Sequence, residues 1–351
     1  MVRASARAEF AHAARRERLV PRVPGSGLVS DIADARAFAK AQGFPVLIKA
    51  SAGGGGRGMR IVRSADELEG ALSAAAAEAK AAFGDGSVYM EKFVERARHI
   101  EIQVLGDSHG SVVHLGERDC STQRRHQKLI EEATSPAIDD KLRDELASAA
   151  VRLAERVQYQ GAGTVEFVFD EDTRAWYFLE MNTRIQVEHP VTEMITGRDL
   201  VAEQIRIAAG EPISFRQSEV AFGGHAIEAR INAEDFANNF APGPGRLTVW
   251  EPPQIEHVRI DTHCYPGYLV PPFYDSLLAK VIARGNTRAE AIRRLQAALS
   301  AFRVEGVPTT IPFHLSVLAH PDFASARVTT RWVEETFMPA LRPAAARQAI
   351  A

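Results

Sequence analysis

Cysteine is scarce: Cys120 and Cys264 are the only two in 351 residues. They form no C-x-x-C pair and no Cys/His metal spacing, and no secretory signal precedes them. The sequence therefore offers no disulfide scaffold or thiolate metal site and predicts reduced thiols in a cytoplasmic protein. No apolar run approaches the roughly 20 residues that a helix needs to span a bilayer. Charge of one sign is not in excess either. A formal net charge of −3 gives no electrostatic ground for nucleic acid or an anionic membrane as the main partner. Internal repeats and low-complexity linkers are also missing. What is there is an ordinary globular composition, 46% hydrophobic, long enough for about two or three domains.

Residues 4–18 read as an amphipathic helix, stopped by the Pro/Gly-rich segment from Val20 to Gly27. Ser30 and Asp31 can cap a helix ending near Gln42, with Gly43 as its stop. Phe44 to Ser51 then reads as a short buried strand carrying Lys49 near its end. A loop of Gly53, Gly54, Gly55 and Gly56 follows, and strand character resumes at Arg60. The Walker and dinucleotide fingerprints both need a helix after the glycines, so neither fits. Glycines still let backbone N–H groups approach a phosphate, with Lys49 as a point charge on the same group; the competing reading is a flexible hairpin tip. Ser64 opens an alanine-rich helix to about Phe83, and a strand from Ser87 carries Glu91 and Lys92.

From His99 the chain alternates, which puts His99, Glu101 and Gln103 on one face of a strand and the aliphatics on the other. Gly110 to Leu115 is its expected hairpin partner. The run from Glu117 to Lys128 packs Arg118, Arg124, Arg125, His126 and Lys128 together. It reads either as a solvated basic loop or as an anion-gathering segment, answered by Glu131 and Glu132. An amphipathic helix is expected over 139–159. Thr164 to Phe169 reads as a strand with one acid, Glu166, among apolar neighbours, where a carboxylate is costly unless paired with a cation or metal. Antiparallel to it, Trp176 to Glu188 starts as a buried strand and turns polar without Gly or Pro. Glu180 and Asn182 then share a face, joined by Arg184 if the extended form continues. Glu166, Glu180 and Asn182 could converge on Mg2+, which takes oxygen donors, beside an anion held by a guanidinium. The plain alternative is an edge strand with a solvated polar end. After Gly210, short strands and turns predict a separate α+β portion closing with a capped helix from Thr287 to Phe302.

Four segments together resemble the biotin carboxylase family of ATP-grasp enzymes. They are Lys49-Ala-Ser-Ala-Gly-Gly-Gly-Gly-Arg-Gly-Met, Glu117-Arg-Asp-Cys-Ser-Thr-Gln-Arg-Arg-His-Gln-Lys, Glu180-Met-Asn-Thr-Arg-Ile-Gln-Val-Glu-His-Pro and Glu228-Ala-Arg-Ile-Asn-Ala-Glu-Asp, and the likeness runs in order along nearly the whole chain. The resemblance implies an α+β, ATP-grasp fold: a residual helix over 1–20, a lid over 21–93, a body over 94–212 and a C-terminal portion over 213–351. It implies that Lys49 and the Gly53–Gly56 loop bind ATP phosphates, that Glu91 and Lys92 lie at the adenine hinge, and that His99, Gln123 and His126 complete the nucleotide site. Glu166, Glu180 and Asn182 would hold Mg2+ or Mn2+. Lys128, Arg184, Gln186 and the Val187 backbone would hold bicarbonate, with Glu188 as its general base and Arg230 at the biotin ureido oxygen.

The activity so implied is ATP-dependent carboxylation of biotin through carboxyphosphate. The chain has no Ala-Met-Lys-Met segment, so biotin is expected on a separate carboxyl carrier protein, with a carboxyltransferase subunit as second partner and a homodimer as the assembly. The family's front α/β domain, of about 100 residues, has no counterpart here. Its Gly-Asp-Lys is replaced by Ala6-Arg7-Ala8. Two alternatives follow: a nucleotide-binding remnant without turnover, or another ATP-grasp ligase of the carbamoyl-phosphate synthetase type.

Overall fold

A computed structural model describes residues 20–52 and 59–341; the expected helix over 4–18 and the Gly53–Gly56 loop lie outside the described residues. Two antiparallel sheets organise the chain. The smaller has the order β1 (Gly25–Leu28), β4 (Val88–Lys92), β2 (Val46–Ala50), β3 (Met59–Val62). Helices α1 (Ile32–Gln42) and α2 (Ala65–Phe83) pack on it. The local chemistry is legible: the Asp31 carboxylate accepts from the amides of Ala33 and Asp34, and Gly43 ends α1 at φ 71°, a conformation that costs glycine little. Val46, Ile48 and Ala50 are buried while Lys49 points to the other face, as the two-residue period requires. Residues 25–28, which take up the end of the Pro/Gly-rich segment expected to stop the first helix, form an edge strand, with Ser26 Oγ accepting from the Met90 amide at 2.8 Å.

The larger sheet has eight strands in the order β11 (Val258–Thr262), β12 (Leu277–Gly285), β10 (His225–Asn232), β7 (Gln127–Ala133), β6 (Val112–Arg124), β5 (Ala97–Gly106), β8 (Gly161–Asp170), β9 (Trp176–Asn182). Its alternation splits the side chains into two layers. Ile100, Ile102 and Val104 of β5 join α3 (Asp140–Arg156) in one core, and Ile227, Ala229, Val281 and Ala283 join α6 (Arg288–Ala301) in another. On the opposite face α4 (His189–Thr196) covers Ala133, Ala226 and Ile282, and α5 (Leu200–Ala208) covers Leu105 and Val113. Between those two helices the same face is polar, and the site lies there.

Three expectations change. The basic run from Glu117 is no loop: most of it continues β6, with Arg118 fully buried, and only Arg125 and His126 make an exposed turn, at φ 48° and 64°. Both central residues then have positive φ, the backbone a two-residue hairpin needs to match strand twist. Strand β9 ends at Asn182, so the extended form does not reach Arg184. The part after Gly210 is not separate in the sheet, because β10 pairs with β7, Ala226 opposite Ala133 and Glu228 opposite Glu131. The eight strands thus run across the division expected at 212/213. No helix among the described residues is long and apolar enough to cross a membrane.

Candidate active site

The polar face of β5, β6, β8 and β7 holds more charge than any sheet interior tolerates unpaired. Its centre is Lys128. Lys128 Nζ lies 2.6 Å from Glu101, 2.6 Å from Glu188 and 3.2 Å from Glu166. One ammonium therefore bridges three carboxylates from three elements. Burial works against its charge, yet these carboxylates outweigh that and raise its pKa.

Arg118 anchors the other side of Glu101. Its Nε donates to Glu101 at 2.5 Å, and its remaining N–H groups reach Gln103, Thr192, Thr164 and Gln186 at 2.8–3.5 Å. Burial alone would push Glu101 up, but the Lys128 and Arg118 charges win and hold its carboxyl at about 2. Glu166 is likewise held below the carboxylate range against its burial, by His99, Lys128 and Gln186. His99 Nε2 lies 3.2 Å from Glu166, and Gln186 Nε2 and Asn182 Nδ2 donate to it at 3.0 and 2.8 Å.

Glu188 closes the network where β9 gives way to α4. It is the N-cap residue of that helix and sits between two cations, Lys128 on one oxygen and Arg230 Nη2 at 3.0 Å on the other. Arg230, on β10, is held from behind by Glu131 at 2.5 Å. Lys280 Nζ donates to the Val187 carbonyl at 2.9 Å, fixing the backbone just ahead of Glu188.

A divalent cation would find a fitting donor set beside this cluster. Glu180 is the register partner of Glu166, so the two side chains share a face, and Asn182 is bonded to Glu166. Two carboxylates and an amide are hard oxygen donors of the kind Mg2+ or Mn2+ prefers. His99, Glu101 and Glu166 also bring their ligand atoms within 4.8 Å of one another.

The structure thus joins His99, Lys128, Glu166, Asn182, Gln186, Glu188 and Arg230 in one network, with Glu180 across from Glu166. Other expected residues stand apart from it. Lys49 is paired with Glu91 at 2.5 Å on the small sheet, and Lys92 donates to the carbonyls of Gly43 and Phe44 at 3.2 Å. Gln123 is buried on β6, opposite Lys128. His126 is exposed in the turn, and Arg184 is exposed in a bend, donating to the Ile185 carbonyl at 3.1 Å. Sequence reasoning did not assign Arg118, Glu101, Glu131, Glu228 or Lys280 to the site. For Glu101 the signal was present: it alternates with His99 and Gln103 on one strand face.

A small α+β sheet unit joined to a broad antiparallel sheet, whose polar face carries a cation-threaded carboxylate cluster, defines an ATP-grasp ligase. Comparison with known proteins narrows the class. Residues 6–216 match the family model described as carbamoyl-phosphate synthase L chain, ATP binding domain, and residues 228–335 match the biotin carboxylase C-terminal domain. Biotin carboxylase 1 of Bacillus subtilis is 53% identical over 90% of this chain and 70% of its own length. The biotin carboxylase of Haemophilus influenzae is also 53% identical, over 90% of this chain and 70% of its own length. Among solved structures, the biotin carboxylase domain dimer of Hydrogenobacter thermophilus 2-oxoglutarate carboxylase, in complex with MgADP, ADP and bicarbonate, aligns with a TM-score of 0.83 at 46% identity. It covers 94% of this chain and 72% of that one. The Campylobacter jejuni biotin carboxylase in complex with a β,γ-ATP ligand gives 0.83 at 45% identity, over 93% of this chain and 72% of that one. The chain belongs to the biotin carboxylase family.

Proposed function

We propose that this chain carboxylates biotin at the expense of ATP and bicarbonate, and that the Glu188 position carries the chemistry. The supporting observation is that one carboxylate is clamped between Lys128 and Arg230 at 2.6 and 3.0 Å. Nucleotide binding alone asks for no such arrangement. Bicarbonate is a poor nucleophile at neutral pH, and a carboxylate positioned to take its remaining proton makes attack on the γ-phosphate feasible. Lys128, freed from one of its three carboxylates, would orient that anion, together with the side chains of Arg184 and Gln186 and the Val187 backbone. Phosphoryl transfer depends mostly on such positioning and charge.

The carboxyphosphate so formed releases CO2 beside biotin. Arg230 would then face the ureido oxygen, where charge grows as the ring nitrogen loses its proton. Lys49, the Gly53–Gly56 loop, Glu91, Lys92, His99, Gln123 and His126 are assigned to ATP. Glu166, Glu180 and Asn182 would hold Mg2+ or Mn2+, which neutralises charge on the phosphates. Residues 21–93 would act as lid, 94–212 as body and 213–351 as the C-terminal portion. A separate biotin carrier protein, a carboxyltransferase subunit, a homodimer and a cytoplasmic setting belong to the same proposal. The carbamoyl-phosphate synthetase alternative loses support, because biotin carboxylases match across both halves of the chain.

The test is bicarbonate-dependent ATP hydrolysis with Mg2+, with and without free biotin, alongside Glu188→Gln and Arg230→Ala. Biotin should stimulate turnover, Glu188→Gln should abolish bicarbonate dependence, and Arg230→Ala should abolish the biotin response. ATP binding without bicarbonate-dependent turnover would instead support the remnant reading.

A further inference from the structure

Behind Arg230 lies a pair of acids that the carboxylation chemistry does not use. Glu131 and Glu228 are register partners on β7 and β10, both 0% exposed, so their side chains lie next to each other on one face. Arg230, two residues along β10, shares that face. Over it sits α4, through Val191 and Ile195, among Ala133, Ala226 and Ile282. The pair is therefore roofed by apolar side chains.

The local charges do not balance if both acids are ionised. Glu131 Oε1 accepts from Arg230 Nε at 2.6 Å, whereas Glu131 Oε2 and both Glu228 oxygens have no hydrogen-bond partner among the described residues. Arg230 already serves Glu131 and Glu188. Lys280 serves Asp261 at 3.3 Å and the Val187 carbonyl. Lys128 serves Glu101, Glu166 and Glu188. Cys120 on β6, the thiol that senses Glu131, brings no cation either: burial raises it. A second uncompensated carboxylate in this setting is too costly to keep ionised.

We infer that Glu228 is a neutral carboxylic acid beside Glu131, and that it is a positioning residue that keeps Arg230 aimed at the biotin side of the site. The inference rests on the carboxylase reading of Arg230. Burial, reinforced by the neighbouring acid, pushes Glu228 well above the carboxylate range, and burial raises Glu131 too, although Arg230 opposes it there. As long as the proton is present, Glu131 is the single anion behind Arg230, and the guanidinium reaches forward to Glu188. When the proton leaves at alkaline pH, a second negative charge next to Glu131 draws Arg230 back.

The test measures biotin-stimulated ATP hydrolysis against pH for the wild type and Glu228→Gln, with infrared difference spectra of both. The glutamine mimics the protonated acid and cannot ionise. In the wild type, kcat/KM for biotin should fall about tenfold per pH unit on the alkaline side, whereas Glu228→Gln should remove that fall and leave KM for ATP unmoved at every pH. A protonated-carboxyl C=O band should be present in the wild type at neutral pH, vanish on alkaline titration and be missing from Glu228→Gln. An identical alkaline fall in both proteins, or no such band in the wild type, overturns the inference. Should Glu228→Gln not fold, Glu131→Gln takes its place: the wild-type band should shift when the charge beside Glu228 is removed, and an unshifted band overturns the pairing of the two acids. A band that behaves as expected in a protein lacking bicarbonate-dependent turnover would leave the pair standing and count against the carboxylase reading alone.

Discussion

Lys128 Nζ stands 2.6 Å from Glu188 Oε1, and the same ammonium reaches Glu101 and Glu166. Deleting it leaves three carboxylates facing one another with little water to screen them. Breaking a buried pair from one side costs about 3–5 kcal/mol. Lys128→Met should lower unfolding free energy by that order in a denaturant titration. Its bicarbonate-dependent turnover should fall at least about a hundredfold. A variant as stable as the wild type would show that the carboxylates find other partners.

Arg118 makes a separate case, because shape rather than charge decides it. Its fork reaches five partners on β5, β8, α4 and the segment between β9 and α4. A lysine keeps the charge but offers a compact head that cannot span those directions. Arg118→Lys should therefore lose about 2–4 kcal/mol, because the abandoned acceptors stay buried. Thermal unfolding should show the loss, and Arg118→Lys matching the wild type would mean charge alone suffices.

Acid stability should carry the mark of Glu101. Its ordinary value is 4.5 and the fold holds it at about 2. A depressed carboxyl contributes stability that is present above the unfolded value and is lost as pH falls through the folded one. The window is thus about pH 4.5 down to about 2, and the contribution is on the order of 3 kcal/mol. Glu132, also at about 2 against burial through Arg288 and His225, titrates in the same window. Glu101→Gln should be less stable than the wild type at neutral pH and flatter through the acid limb. Parallel acid curves would rule the assignment out.

Much of this was legible in the sequence, and what was not has physical reasons. Cap residues gave α1 its ends because the Asp31 carboxylate and Gly43 act within a few bonds, whereas Ser64 at the start of α2 makes no side-chain capping bond. The alternation at His99 to Leu105 correctly predicted a polar face. Arg118 was misread because a guanidinium in a basic run normally means solvent. Only the distant carboxylate of Glu101 and acceptors from β8 and α4, all assembled by tertiary structure, make its burial tolerable. The same holds for the continuity of β10 with β7: a register between strands about a hundred residues apart has no local signature. Arg184 was expected in line with Asn182 if the extended form continued, but the strand ends two residues short of it, and nothing in Thr183 announces that.

The metal site yields the remaining prediction. Gln186 Nε2 donates to Glu166 at 3.0 Å, while its carbonyl oxygen accepts from Arg118 at 3.5 Å. The amide therefore transmits the orientation set by the buried guanidinium to the carboxylate assigned to the cation. Groups in this supporting position are worth about 10–100-fold in metal affinity. Gln186→Leu removes both bonds at nearly constant volume, whereas Gln186→Glu sets a second negative charge against Glu166. The leucine variant should need about 10–100 times more Mg2+ for half-maximal ATP hydrolysis, with saturating Mg2+ restoring much of the ATPase rate. Because the same side chain is assigned to bicarbonate, its KM for that anion should rise as well. An unchanged Mg2+ titration with only the bicarbonate KM raised would confine Gln186 to the anion and remove it from the support of Glu166.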